Sequence, residues 1–207
     1  MDLVKELFNI KPECNTLVEN RFKEFENLGK NGSEEDLFSE LSFCVLTANW
    51  SAKGGIRAQK EIGNGFINLS EEKLIEALKS VGHRFPKARA KYIVSNRWII
   101  GNLKALIKKD PFEAREYIVK NIKGISWKES SHFLRNCGIS NLAILDKHIM
   151  RLMIKAGLLN ELPKSGWSKK KYIEIEEKLR PISKKFEEPI GKLDLYMWFM
   201  AKKSVDK

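Results

Sequence analysis

Cysteine is scarce in this sequence. Cys14, Cys44 and Cys137 are its only three. They lie far apart, and none belongs to a CxxC pair or precedes paired histidines, which speaks against a disulfide framework and against a zinc or iron–sulfur site. Long apolar runs are missing too: no segment approaches the roughly eighteen uninterrupted apolar residues of a membrane span. The amino terminus, MDLVKELFNIKPE, has neither a basic leader nor the apolar core of a signal peptide. These absences predict an intracellular, soluble protein with no membrane partner. Alternating β-branched segments are lacking as well, so nothing promises a sheet. Repeats, low-complexity tracts and a flexible linker are also absent.

What is present is positive charge. Of 207 residues, 38 are Lys or Arg against 27 Asp or Glu, a formal net charge of +11. Such an excess favours a polyanionic partner, because neutralising several phosphates is the sequence-independent part of nucleic-acid affinity. A hydrophobic content of 43% is enough for an ordinary globular core. Abundant Lys, Glu and Ile match the composition of heat-adapted proteins. The expected setting is the cytoplasm or nucleoid of a prokaryote, an archaeon or a thermophile.

Helix signals dominate the chain. Ser33 with Glu34, Glu35 and Asp36 reads as a cap with an acidic first turn, ahead of Leu37, Phe38, Leu41, Val45 and Leu46 on one face. Ser70 opens a helix striped by Leu74, Ile75, Leu78 and Val81 and stopped by Gly82. Pro86 and Pro111 each suit the first position of a helix. Ser126 and Glu129 form a capping box that fixes Lys128 in a first turn. That helix should end near Gly138. Asp146 caps a helix carrying Ile149, Leu152, Met153 and Ala156, and Ser168 starts a lysine-rich helix expected to stop at Pro181. A last helix is expected from about Glu188 to Lys203. The fold class is all-α, with about ten helices.

Lys128 and Asp146 carry the chemistry. The turn Gly124-Ile125-Ser126 joins two helices as a hairpin, and the unpaired amides at the start of the second can point at a phosphate. The glycine lets the backbone come close. In the first turn of that helix, Lys128 offers an amine that can attack the anomeric carbon of a deoxynucleoside, expel the base, and remain as a Schiff base that promotes β-elimination. Asp146, capping the next helix, can steady a cationic sugar or orient the amine. Taken singly, a helix-start lysine is usually solvated and a capping aspartate only a cap. The pair in this arrangement is far less common.

The segments IKGISWK (Ile122 to Lys128) and LDKHI (Leu145 to Ile149) resemble the signature of the helix-hairpin-helix DNA glycosylase superfamily, to which endonuclease III belongs. Ser126 departs from the pattern, standing where many members have a second glycine. The resemblance implies a bifunctional glycosylase with lyase activity, because purely hydrolytic relatives lack the lysine. LSFCVLTANWSAKGGIRAQKEIG (Leu41 to Gly63) is similar to the segment that supplies a duplex-invading residue, which would make Asn49 the wedge. VGHRFPKARAKYI (Val81 to Ile93) resembles the loop that fills the gap left by an extruded base, implicating His83, Arg84 and Phe85. Gly124, Ile125 and Ser126 would contact the DNA backbone. Relatives can hold a structural cation at carbonyls corresponding to Lys120, Ile122 and Ile125, while no cofactor is expected.

Within the superfamily, overall length, these loops and the ending LYMWFMAKKSVDK most resemble the archaeal-type 8-oxoguanine DNA glycosylases/AP lyases, the second family of 8-oxoguanine enzymes. Members end in a lysine that helps tell oxidised guanine from guanine, which points to Lys207. 8-Oxoguanine has an N7–H donor where guanine has an acceptor, so a well-placed acceptor would discriminate. His132, one turn beyond Lys128, and Trp198, on the last helix, are the candidate walls of the base pocket. The molecule is expected to have two helical lobes. Residues 30–138 form a central lobe with the hairpin, residues 1–29 and 139–207 a second lobe of N- and C-terminal helices, and a cleft between them takes duplex DNA containing a damaged base. A monomer is expected. Two alternatives stay open: a glycosylase/lyase for another lesion such as an oxidised pyrimidine, and a non-catalytic helix-hairpin-helix DNA-binding module in which Lys128 is a phosphate contact.

Overall fold

Twelve α-helices and one 3-10 turn make up this computed structural model, which describes residues 1–163 and 167–207; no strand occurs among them. In chain order the helices are α1 (Leu3–Asn31), α2 (Glu34–Thr47), α3 (Ala52–Ile62), α4 (Gly65–Asn68), α5 (Glu71–Ser80), α6 (Pro86–Asn96), α7 (Leu103–Ile107), α8 (Pro111–Asn121), α9 (Trp127–Asn136), α10 (Lys147–Lys155), α11 (Lys169–Phe186) and α12 (Ile190–Lys202). No described helix is long and apolar enough to cross a membrane.

The predicted caps are in place. At α2, the Ser33 hydroxyl accepts from the Asp36 amide at 3.1 Å while the Asp36 carboxylate accepts from the Ser33 amide at 2.9 Å, satisfying two amides that the helix itself leaves unpaired. Asp110 caps α8 by accepting from Phe112 and Glu113, with Pro111 in the first position.

Three expectations fail, each for a physical reason. Helix α2 has no single apolar face, because every residue from Leu37 to Thr47 except Ser39 is buried. It is a central helix packed by α3, α4, α6, α7 and α9 on all sides. Helix α11 does not stop at Pro181 but runs on to Phe186. Pro181 faces solvent, where the carbonyl it leaves unbonded can meet water, and buried Leu179 and Phe186 hold the helix on either side. The N-terminal helices turn out to be one helix of 29 residues, continuous through the likewise exposed Pro12.

Buried apolar side chains gather in two clusters. One draws on residues from Leu37 to Leu142, contributed by α2 through α9. The other combines Leu3 to Phe25 of α1 with residues from Ala143 to Phe199. Helix α1 lies along α12 and α11, which ties the two ends of the sequence together. A buried polar network joins the hairpin helices to α11. The Glu176 carboxylate, wholly buried, accepts from Arg115 at 2.6 and 3.3 Å, from Arg180 at 3.1 Å and from the Ala143 amide at 3.0 Å. The Tyr172 hydroxyl donates to the Ala143 carbonyl at 2.8 Å and accepts from the Leu145 amide at 3.2 Å. These bonds fix the extended stretch that delivers Asp146 to the head of α10.

Candidate active site

The hairpin between α8 and α9 is held from behind by α6. Asn96 both donates to the Lys123 carbonyl at 3.0 Å and accepts from the Lys123 amide at 2.9 Å. Gly124 has φ +79°, and a Cβ there would lie 2.5 Å from the Tyr92 ring, so only glycine gives both the left-handed backbone and the close approach. Ile125 is buried and Ser126 exposed. The carbonyls of Lys120, Ile122 and Ile125 receive no hydrogen bond from the described residues.

Ser126 heads α9 with the expected box: the Glu129 carboxylate accepts from the Ser126 amide at 3.3 Å and from its hydroxyl. Burial works against the Glu129 charge, yet the Lys128 ammonium and the Ser126 bonds hold its carboxyl below the ordinary value. The other Glu129 oxygen is 3.4 Å from Lys128 Nζ. That is the one ion pair of Lys128 among the described residues. At α10, a single oxygen of Asp146, Oδ1, accepts both the His148 amide at 2.7 Å and the Ile149 amide at 2.8 Å. Oδ2 is left without a hydrogen bond among the described residues.

Lys128 and Asp146 line the same cleft of about 1120 Å³, together with Asn49, Arg84, Ser126 and Trp198. Its walls come from both apolar clusters, with Trp50 packed on the first and Trp127, Trp167 and Tyr172 belonging to or packed on the second. The same two residues also border a smaller cavity of about 100 Å³ shared with His132, Asp194, Trp198 and Lys207. Here the His132 ring is buried edge-on to Phe43 at 5.6 Å, not on the surface. Burial, reinforced by the cations of Arg135, Lys128 and Lys207, pushes its pKa well below the ordinary value, against a smaller pull from the Lys207 backbone. Among the described residues, neither ring nitrogen of His132 has a hydrogen-bond partner within bonding geometry, and the buried Trp198 Nε1 has none either. Buried donors and acceptors left open in this way are uncommon in a finished fold.

The two loops read as DNA-invading are braced against each other. Asn49 follows α2 in a left-handed conformation, φ 68°, with its side chain exposed. Phe85 is 44% exposed and lies under the Arg84 guanidinium at 5.2 Å. His83 is different. It is buried, its Nε2 meets the Leu46 carbonyl at 3.0 Å and its Nδ1 accepts from the Phe85 amide at 3.0 Å. With both nitrogens in use inside the fold, the His83 imidazole has none left to bond an unpaired base, and here it anchors the loop that displays Arg84 and Phe85. Arg89 adds a second tie by donating to the Ala48 carbonyl at 2.5 Å, and the Trp50 ring lies tilted against the His83 ring with centroids 4.4 Å apart. Sequence reasoning missed Trp50, Arg89, Glu40 and Asp194. The last two carried a signal, an acidic residue inside an otherwise apolar helical run.

Against known proteins, residues 18–188 match a family model described as 8-oxoguanine DNA glycosylase. A Thermotoga maritima protein named 8-oxoguanine DNA glycosylase/AP lyase is 60% identical over 206 residues, 100% of this chain and 99% of the relative. One from Methanocaldococcus jannaschii with the same name is 46% identical over 203 residues, 97% of each. Among solved structures, the T. maritima 8-oxoguanine DNA glycosylase superposes with a TM-score of 0.96 at 60% identity, covering 99% of this chain and 98% of that one. An M. jannaschii 8-oxoguanine glycosylase/lyase in complex with 15mer DNA containing 8-oxoguanine gives 0.96 at 44% identity, covering all of both chains.

Proposed function

The chain belongs to the 8-oxoguanine DNA glycosylase family, and from that membership and the cleft we infer that it is a DNA repair enzyme that excises 8-oxoguanine from duplex DNA and nicks the abasic strand as an AP lyase. The observation that carries the reading is the placement of Lys128 and Asp146 on one cleft, beside a cavity bordered by His132, Trp198 and Lys207.

In the proposed reaction the Lys128 amine attacks C1′ as the bond to the base breaks, and the departing base takes up a proton. Ring opening delivers a second proton to O4′ and leaves a Schiff base on Nζ. Loss of a C2′ proton then expels the 3′ phosphate. Asp146 is suited to its part because both cap amides fall on Oδ1, which leaves Oδ2 to face the positive charge that develops on the sugar. The cavity bordered by His132, Trp198 and Lys207 receives the extruded base. Asn49, Arg84 and Phe85 occupy the gap in the duplex, offsetting part of the stacking lost on extrusion. Gly124, Ile125 and Ser126 bring α9 amides to a phosphate. The carbonyls of Lys120, Ile122 and Ile125 are free to accept a structural cation. The lobes correspond to residues 30–138 and to 1–29 with 139–207, the DNA lying across them, and the protein works as a monomer in a prokaryotic cell.

The test is borohydride trapping on a duplex containing 8-oxoguanine. Wild-type protein should form a covalent adduct and Lys128→Gln none. An undiminished adduct with the variant would assign the nucleophile elsewhere.

A further inference from the structure

Glu40 stands in an unusual place. It lies on α2 inside the run LFSELSFCVL and is 3% exposed, a site where a carboxylate is rarely found unless it is fully partnered. Its partners come from three distant parts of the chain. Asn136 donates to Oε1 at 2.6 Å, and Gln59 and Lys207 donate to Oε2 at 3.2 and 2.6 Å. The Asn136 side chain in turn accepts from Arg135 Nε at 2.9 Å, and Arg135 Nη1 donates to Asp194 at 3.3 Å. A line of hydrogen bonds therefore runs from Lys207 to Asp194, and Lys207, Arg135 and Asp194 all border the small cavity.

Lys207 has one side-chain ion pair among the described residues. It follows α12, and its ammonium meets Glu40 and lies 4.7 Å above the Phe43 ring, another α2 side chain. A lysine stem has four rotatable bonds and an ammonium that hydrates readily, so without a fixed counter-charge this part of the cavity wall would move into solvent. Glu40 belongs to a helix of the first apolar cluster and Lys207 to the segment leaving the last helix of the second. Their contact spans the two.

We propose that Glu40 is a positioning residue for base recognition: from α2 it holds Lys207 in place, so that the cavity keeps its shape against the extruded base. This rests on the function proposed above, in which that cavity takes the base. Glu40 does not reach Lys128 or Asp146 by any hydrogen bond, so its effect falls on base excision and not on the nicking of a site whose base is already gone.

The experiment compares single-turnover rates on two duplexes, one containing 8-oxoguanine and one containing a preformed abasic site. With Glu40→Gln the ratio of excision to nicking should fall about tenfold or more, the worth of one charge-assisted hydrogen bond. Lys207→Met should lower it similarly, and the double variant no further, since either change breaks the same contact. A ratio unchanged in a folded Glu40→Gln protein, or effects that simply add, overturns the proposal, because a general loss of stability would slow both reactions together. If Glu40→Gln does not fold, Glu40→Asp keeps the charge but shortens the reach, and the same ratio should fall in part, as small misplacements lower rates; no change refutes the latch. Wild-type protein that nicks the abasic duplex yet leaves 8-oxoguanine in place would instead refute the substrate reading, and the proposal with it.

Discussion

Replacing Asp146 with asparagine separates its structural job from the catalytic one proposed for it. Structurally, Asp146 is a cap whose Oδ1 takes two amides at 2.7 and 2.8 Å. An asparagine carbonyl can take the same two bonds, and Asn and Asp are about equal as helix caps. Asp146→Asn should therefore change stability by no more than about 0.5 kcal/mol, roughly 2 °C in melting temperature for a chain of this size. The change replaces Oδ2, which carries no hydrogen bond among the described residues, with an amide nitrogen, and with it goes the negative charge. Removing a single preorganised group that stabilises transition-state charge costs about 10² to 10³ in rate, so single-turnover excision should fall by that factor. Asp146→Ala loses the cap as well and should melt about 1–8 °C lower, from roughly 0.5–2 kcal/mol of capping energy. Differential scanning fluorimetry and quenched-flow excision assays on both variants give the comparison. Should Asp146→Asn excise within about threefold of wild type, or melt as low as the alanine variant, the carboxylate is only a cap and the assigned chemistry fails.

Other substitutions follow from the same geometry. Glu176→Ala strands the buried Arg115 guanidinium, and breaking a buried pair in this way costs about 3–5 kcal/mol; calorimetry should show melting lowered by about 6–20 °C, partly restored when Arg115→Met is added. Gly124→Ala forces a side chain into a left-handed conformation and against Tyr92, at a cost of about 1–2 kcal/mol for the backbone alone, and fluorescence anisotropy should show weaker duplex binding. Burial, opposed by Arg135 and reinforced by the Asp146 carboxylate, raises the Asp194 carboxyl to about 7. A raised acid favours the fold in its neutral form: its contribution is complete below the ordinary carboxylate range and is lost as pH climbs through about 7. Urea midpoints of wild type relative to Asp194→Asn should accordingly decline between pH 4 and pH 8, and a flat difference would refute the assigned burial.

The parts of this molecule that were legible in the sequence are those set by neighbours in the chain. Caps at Ser33, Asp110, Ser126 and Asp146 announce helix starts because the bonds that make them span only two or three residues, and two of those caps place Lys128 and Asp146 on the cleft. Burial is decided by distant segments and was harder to read. Nothing near His83 reveals that the carbonyl of Leu46 awaits its ring. Proline at 181 signals a stop by local rules, and only packing on both sides of it carries α11 through. Glu40 and Lys207 meet across 167 positions, a separation that no periodicity records.

The division of the apolar core has a consequence for synthesis. One cluster is built from a contiguous stretch, residues 37 to 142, and can begin to form while the chain is still emerging from the ribosome. The other needs α1 and α12 together, so the first helix made must wait for the last. The helix that carries Lys128 is thus made before α11 and α12, and a chain still being made lacks the Trp198 wall of the cleft that Lys128 lines in the finished fold.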